Sequence, residues 1–306
     1  MVIDFTSCTT NNFKAYGGAN GGKINILHNG KGYMLKFPPK PTVNKEMSYA
    51  NSCISEYVAC HIMGTLGLNV QQTILGTYTN IKDKESIVVA CEDFTSPEKK
   101  LIEFAALKNT CIGSPQDGYG TELASVMDAI KEQPLLPPGK LQDFFWDLFI
   151  ADALVGNFDR HNGNWGILAD ETNATAEIAP VYDCGSCLYP QVPVQDMPYI
   201  MKDEGEIERR IFVYPTSALK ENEKKINYFE FISSHANPDC SRALVRVAAK
   251  VNMVRIYNAI DETPLISEIQ KSFYKKMVYE RKNRIIDHSL ERLPKNLSDI
   301  AQVNRQ

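Results

Sequence analysis

The stretch "GNFDRHNGNWGIL", residues 156–168, comes after the most apolar run of the chain and sets three asparagines, an aspartate, an arginine and a histidine among three glycines. Polarity at the edge of a core is costly unless partners satisfy it. A second polar knot, "YDCGS" at 182–186, comes shortly after. Between the two, "WGILAD" and "AEIAPVYD" flank the turn-prone "ETNAT". Pairing 165–169 with 177–182 as an antiparallel hairpin puts its tip near Asn173. Asn164, nine residues before that tip, and Asp183, ten after it, then meet at the open end, with Asp159 on the loop that feeds it. Two carboxylates about 4 Å apart repel by roughly 4 kcal/mol at an effective dielectric near 20. A hard divalent cation removes that cost. One or two carboxylates and an amide suit magnesium, with phosphate oxygens completing the shell. Taken singly, each residue reads as an ordinary cap of a turn or helix; converging, Asp159, Asn164 and Asp183 predict a metal–phosphate site.

Other elements must bring phosphates to that site. "YGGANGGKI" carries Gly17, Gly18, Gly21 and Gly22 and fits the letters G-x-x-x-x-G-K, but Ile24 stands where a metal-binding Ser or Thr is needed. No apolar strand precedes it, so a Walker-type nucleotidase is not expected. A glycine turn laying backbone N–H groups over phosphates is the functional reading, and a plain surface turn the bland one. "GGKINILHNGKGYMLKF" then predicts two strands joined at Asn29-Gly30, a turn whose central positions both need positive φ. Tyr33, Leu35 and Phe37 share the apolar face, so Lys36 points the other way, as a cation for phosphates. Met47, Ala50, Ile54, Val58, Ile62 and Leu66 predict a helix over 46–66 that stops at Gly67. On it Glu56 is the candidate to hold Lys36 extended, with Glu46 a weaker one.

"QTILGTYTN" and "SIVVACEDF" read as two further strands, and "TSPEKK" as a polar break. Beyond that break the pattern is mostly helical. "GKLQDFFWDLFIADALVG" has the wide apolar stripe of a central buried helix, and residues 240–292 suggest two or more closing helices broken near Pro264. The outline is α+β: a small β-rich N-lobe over 1–94, a connection at 91–97 and a larger helical C-lobe over 98–306, with a ligand cleft between them.

The chain has 306 residues, 43% of them hydrophobic, and a formal net charge of −4. Its short basic pairs each have acidic neighbours, so nucleic acid is not an expected partner. The N-terminus lacks the pattern of a secretory signal, and no run of about 18 apolar residues predicts a transmembrane segment. The eight cysteines read as reduced thiols of a cytoplasmic protein rather than a disulfide framework.

Together these pieces resemble the HipA-like protein kinases, whose motifs are close to those of the phosphoinositide kinases. "DRHNGN" is similar to their D-x-H-x-x-N catalytic loop, "YDCGS" stands where the metal-binding D-x-G occurs, and "LKF" supplies the strand lysine. "SEYVACHIMGTLGL" resembles the regulatory helix and "CEDF" the hinge. The resemblance spans about residues 15–190. The compact chain is most similar to the exported cell-translocating kinase relatives, which makes delivery by a signal-less route the alternative to a cytoplasmic location.

The resemblance implies a two-lobed kinase fold and transfer of the γ-phosphoryl group from ATP, with Mg2+, to Ser or Thr hydroxyls of a protein substrate, Tyr being a further option. Asp159 would orient the attacking hydroxyl or accept its proton. Asn164 and Asp183 would hold the metal, Lys36 would grip the α- and β-phosphates, and adenine would bond to the backbone around Glu92, Asp93 and Phe94. Arg160 and His161 would support the loop, His161 being as much a structural hydrogen-bonder as a participant. Residues 186–217 would form the activation segment, with Ser186, Tyr189, Tyr199 and Ser217 as self-phosphorylation candidates. A phosphoinositide-type lipid kinase is the enzymatic alternative, set back by the acidic run "VPVQDMPYIMKDEGEIE" within 191–208. A nucleotide-binding pseudokinase is the other, set back because every catalytic position is filled. No H-R-D or A-P-E motif is present, and Cys184 replaces the usual aromatic residue after the metal aspartate. The resulting "CGSC" lacks the partner ligands of a zinc site and the surroundings of a thioredoxin-like one.

Overall fold

The computed structural model describes residues 2–10, 22–39, 49–113 and 116–294. Gly17, Gly18, Gly21, Glu46 and Met47 lie outside the described residues.

Short strands β1 (Ile3–Asp4) and β2 (Thr9–Thr10) open the chain, succeeded by the hairpin β3 (Lys23–His28) and β4 (Lys31–Lys36). Asn29 and Gly30 take φ of 50° and 77°, the two left-handed positions that a two-residue turn demands. Helix α1 (Ser52–Thr65) comes next, then β5 (Thr73–Thr79) and β6 (Glu85–Glu92). Among the described residues these strands form one sheet in the order β1-β5-β6-β4-β3-β2, antiparallel except that β1 runs parallel to β5. Lys36 lies opposite Lys23 on one side and Val89 on the other, so β4 is an interior strand. Tyr33 and Leu35 are buried as expected, in a small cluster with Phe5, Ile26, Val88 and Ala90.

Helix α1 starts later than the apolar spacing predicts. Ala50 sits in a turn, where the Asn51 amide donates to the carbonyl of Pro190 and its Nδ2 donates to that of Val192. The helix start is thereby fixed to a distant segment, and residues 49–51 do not join the helix. Its end agrees with expectation: Gly67 takes φ of 79°.

Strand β7 (Lys99–Glu103) leads into α2 (Phe104–Ile112), α3 (Leu123–Glu132) and α4 (Pro138–Val155). Eleven residues of α4, from Leu141 to Val155, are buried, and Gly156 ends the helix at φ of 65°. Strands β8 (Gly166–Asp170) and β9 (Thr175–Ile178) then form the expected hairpin, with Asp170 opposite Thr175 and the turn at 171–174, and β7 adds to the other edge of β8. Short helices α5 (Met197–Ile200) and α6 (Glu204–Glu208) come next, the latter running on as a π turn through Val213. A small hairpin, β10 (Lys220–Glu221) with β11 (Lys224–Lys225), precedes α7 (Tyr228–Ser234). The closing helices α8 (Pro238–Ala248), α9 (Met253–Asp261) and α10 (Glu268–Arg281) break around Pro264 as predicted, with Ser267 and Gln270 forming a capping box. Helix α11 (His288–Glu291) ends the described part. The fold is a β-rich lobe carrying one helix and a larger, mainly helical lobe that surrounds α4.

Candidate functional site

Lys36 places the first charge. From β4 its Nζ donates to Glu56 Oε2 at 3.0 Å and to Asp183 Oδ1 at 2.9 Å. Burial works against its charge, but the Asp183 and Glu56 carboxylates outweigh burial and hold the amine protonated well above its ordinary range. Glu56 is 1% exposed, and burial raises its carboxyl despite the lysine. Asp183 keeps 41% of its side chain exposed, and the Lys36 charge holds its carboxyl down at about 2. One ammonium charge thus sits between two carboxyl groups, and Asp183 is the one that faces the open side.

The backbone brings Asp183 there by strain and by a missing side chain. Asp183 takes φ of 57°, a left-handed conformation that few non-glycine residues adopt. Two positions on, Gly185 lets α1 approach: a Cβ there would lie 3.3 Å from Glu56 Oε2 and 3.5 Å from the Ser52 carbonyl oxygen. Upstream, the Val181 amide donates to Asn69 at 2.8 Å and the Gln71 amide to Val181 at 2.9 Å, fixing the segment before Asp183 to the chain after α1.

The loop after α4 supplies the rest. Asn164 Nδ2 donates to the Asp159 carbonyl at 2.7 Å, while its Oδ1 accepts no hydrogen bond among the described residues. Burial raises the Asp159 carboxyl above the usual aspartate range; Asp183 adds to the rise, and His161 and Arg160 oppose it. The convergence predicted from the hairpin is therefore present: Asp159 and Asp183 feel one another's charge, and Asn164 is bonded to the first. His161 faces its own loop, its Nδ1 accepting from the Gly163 amide at 3.0 Å. Arg160 reaches Asp152, the carbonyls of Asn164 and Tyr182, and Cys184.

Other expected positions fare differently. Gly22 is the sole member of the glycine turn among the described residues. In the hinge, the Glu92 amide donates to Gln72 at 2.8 Å, the Glu92 carbonyl accepts from Gln71 Nε2 at 2.9 Å, and the Asp93 amide donates to Gly32 at 2.9 Å. The Glu92 carboxylate pairs with Lys31, and Asp93 Oδ1 closes a turn onto Thr95. The Phe94 amide is engaged by no other group among the described residues, and the Phe94 ring lies 5.8 Å from that of Tyr182. Cys184 and Cys187 are buried free thiols.

Several groups that shape the site carry no motif in the sequence. Asp152 (1% exposed) pairs with Arg160, and Asn157 (0% exposed) donates to it at 2.8 Å. The hydroxyl of buried Tyr228 donates to the Asn157 carbonyl at 2.7 Å. Arg281, from α10, donates to the carbonyls of Ala153 and Arg210 and to Tyr189.

The oxygen donors present fit a nucleotide-bound magnesium ion: an amide oxygen that accepts no hydrogen bond among the described residues, and an ionised, partly exposed carboxylate. Among the described residues no group of three or more His, Cys, Asp or Glu is arranged to hold a metal, so phosphates and water would complete its shell. Among the described residues, too, no helix is long and apolar enough to cross a membrane.

The family model for the HipA-like C-terminal domain matches residues 15–253. The chain is 50% identical over 287 residues to the serine/threonine-protein kinase CtkA of Helicobacter pylori, covering 94% of this chain and 87% of that one. The crystal structure of the H. pylori proinflammatory kinase CtkA superposes with a TM-score of 0.89 at 47% identity, over 98% of this chain and 99% of that one. The HipA toxin of Shewanella oneidensis, solved with HipB and operator DNA, shares the fold at a TM-score of 0.54 and 16% identity, over 90% and 67% of the two chains. With more than half its length matched by the family model and a relative this similar, the chain belongs to the HipA-like C-terminal domain family.

Proposed function

We propose that the chain is a serine/threonine protein kinase that uses ATP and Mg2+. The carrying observation is that Lys36 is bonded at once to Glu56 and Asp183, with Asp159 and Asn164 on the neighbouring loop. A lysine kept protonated by a buried glutamate can grip the α- and β-phosphates without its position depending on the ligand. Asn164 Oδ1 and the Asp183 carboxylate would hold magnesium, which when bound would neutralise charge developing on the phosphoryl oxygens. Asp159 orients the substrate hydroxyl and takes its proton as that oxygen bonds to the γ-phosphorus and the bond to the β–γ bridging oxygen breaks, releasing ADP; its raised carboxyl makes it a better base than an ordinary aspartate. The Phe94 amide is the hinge donor we assign to adenine, and Gly17, Gly18, Gly21 and Gly22 would cover the phosphates. His161 acts by shaping the loop. Tyrosine transfer and self-phosphorylation within 186–217 extend the same proposal.

The test is incubation of the full chain with labelled ATP, magnesium, a generic protein substrate and a phosphoinositide mixture. Label on protein is expected, lost by a factor of about 10²–10⁴ in Asp159→Ala and to a similar degree in Asp183→Ala. Label confined to lipid, or none at all, overturns the reading.

A further inference from the structure

We infer that Arg160, held by Asp152, is the positioning residue that keeps the two metal-binding side chains in register; this rests on the kinase reading above. Asn164 precedes β8 and Asp183 follows β9, both at the open end of the hairpin, and neither is fixed to the other by a direct bond among the described residues. Arg160 supplies the link. Its Nη1 donates to the carbonyl of Asn164 at 2.8 Å and to the carbonyl of Tyr182, the residue before Asp183. Its Nε and Nη2 donate to the two oxygens of Asp152 at 3.1 and 3.3 Å, and Nη2 also reaches Cys184 Sγ at 3.3 Å. All five N–H groups of the guanidinium are engaged by this set.

Its own position is set from α4. Arg160 is 7% exposed and Asp152 1%, and Asn157 Nδ2 completes the Asp152 carboxylate. Burial of the guanidinium works against its charge, yet Asp152 more than compensates, so the cation is permanent. A planar fork with fixed angles can hold two carbonyls and a carboxylate at once. A lysine, with a single nitrogen, keeps the charge opposite Asp152 but cannot span the three. Groups that orient metal ligands from behind, when removed, weaken metal binding by about 10–100-fold.

The experiment is a set of thermal melts of the full chain with ADP held constant and magnesium titrated. In the wild type the ADP-dependent rise in Tm should grow with magnesium, and Asp183→Ala should abolish that growth. Arg160→Lys should raise the magnesium concentration giving half the effect by about 10–100-fold. Asp152→Asn, which releases the fork, should move it the same way and stands in if the lysine variant does not fold. Leu244→Ala, in the buried face of α8, should lower Tm but leave the magnesium midpoint at the wild-type value. A wild-type midpoint in Arg160→Lys, or an equal shift in Leu244→Ala, overturns the inference while the kinase reading stands. Absence of any magnesium effect in the wild type removes the kinase reading and the inference with it.

Discussion

The Lys36 amine lies 2.9 Å from the Asp183 carboxylate across 147 positions of chain, and the same amine reaches Glu56 on α1. Strand, helix and the segment after the β8–β9 hairpin therefore meet at one cation, and the stability of that junction is tied to its charge balance.

Removing the cation should cost more than ATP binding. Lys36→Met leaves Glu56, 1% exposed, without its compensating charge. Breaking a buried pair from one side costs about 3–5 kcal/mol. Urea unfolding should show a loss of that order together with loss of activity. Adding Glu56→Leu should restore most of the stability and none of the activity, because the buried charge is gone but the phosphate contact is still missing. A Lys36→Met chain as stable as the wild type would mean that Glu56 takes up a proton at negligible cost.

The catalytic aspartate should carry a pH signature. Burial raises the folded carboxyl of Asp159, so between the ordinary aspartate value and the folded value the folded state binds more protons than the unfolded one. Its contribution to stability is full below the unfolded value and fades as pH rises through the folded value. Asp159→Asn should therefore raise Tm at pH 7 relative to its effect near pH 4, while kcat falls by about 10²–10⁴. The acid limb of kcat in the wild type should lie above the ordinary aspartate range. Asp183 has the opposite sign: its stabilising contribution is complete above 3.8 and disappears as pH falls through about 2. A lower Tm for Asp159→Asn at neutral pH would contradict the burial argument.

Gly185 marks where the helix and the metal segment touch. An alanine there would bring its Cβ to 3.3 Å from Glu56 Oε2, closer than most such contacts, so Glu56 or α1 must give way. Because Glu56 is held from the other side by Lys36, the expected outcome is a weakened ion pair, a raised KM for ATP and a Tm change of a few degrees. An unchanged KM would show that α1 can retreat without moving Glu56.

The sequence carried the convergence of Asp159, Asn164 and Asp183 because hairpin arithmetic is local: an even alternation and a turn signal suffice to count back to the open end. It carried Lys36 because period-two alternation separates it from Tyr33 and Leu35. It also holds a quieter clue to Asp152. Asp143 and Asp147 lie one turn apart on α4 and both pair with Arg246. Asp152, five residues beyond Asp147, is rotated by about 140° onto the apolar side, where a carboxylate requires a cation. What could not be read is the tether of Asn51 to residues 190–192, which cuts α1 short, since that contact spans 141 positions. The engaged backbone of Glu92 and Asp93 was hidden for the same reason: Gln71, Gln72 and Gly32 reach the hinge only after the sheet has formed.

Self-phosphorylation should be confined by burial. Of the four candidate hydroxyls in 186–217, Tyr199 is 62% exposed, with a single bond to Asp203 Oδ2 at 3.1 Å, and Ser186 is half-buried. Tyr189 is 5% exposed, donating to the Arg210 carbonyl at 2.7 Å and accepting from Arg281 at 3.1 Å. Ser217 is 1% exposed, and its Oγ accepts from the Leu219 amide. Phosphorylating either of the latter two would bury a dianion with no room for it and break the bond that joins Tyr189 to α10 or the turn that Ser217 closes onto Leu219. Peptide mass spectrometry after incubation with ATP and magnesium should find phosphate on Tyr199 or Ser186 and none on Tyr189 or Ser217, with Asp159→Asn unlabelled throughout. Stoichiometric phosphate on Tyr189 or Ser217 would require that this segment opens from the core during turnover, and the argument from burial would fail.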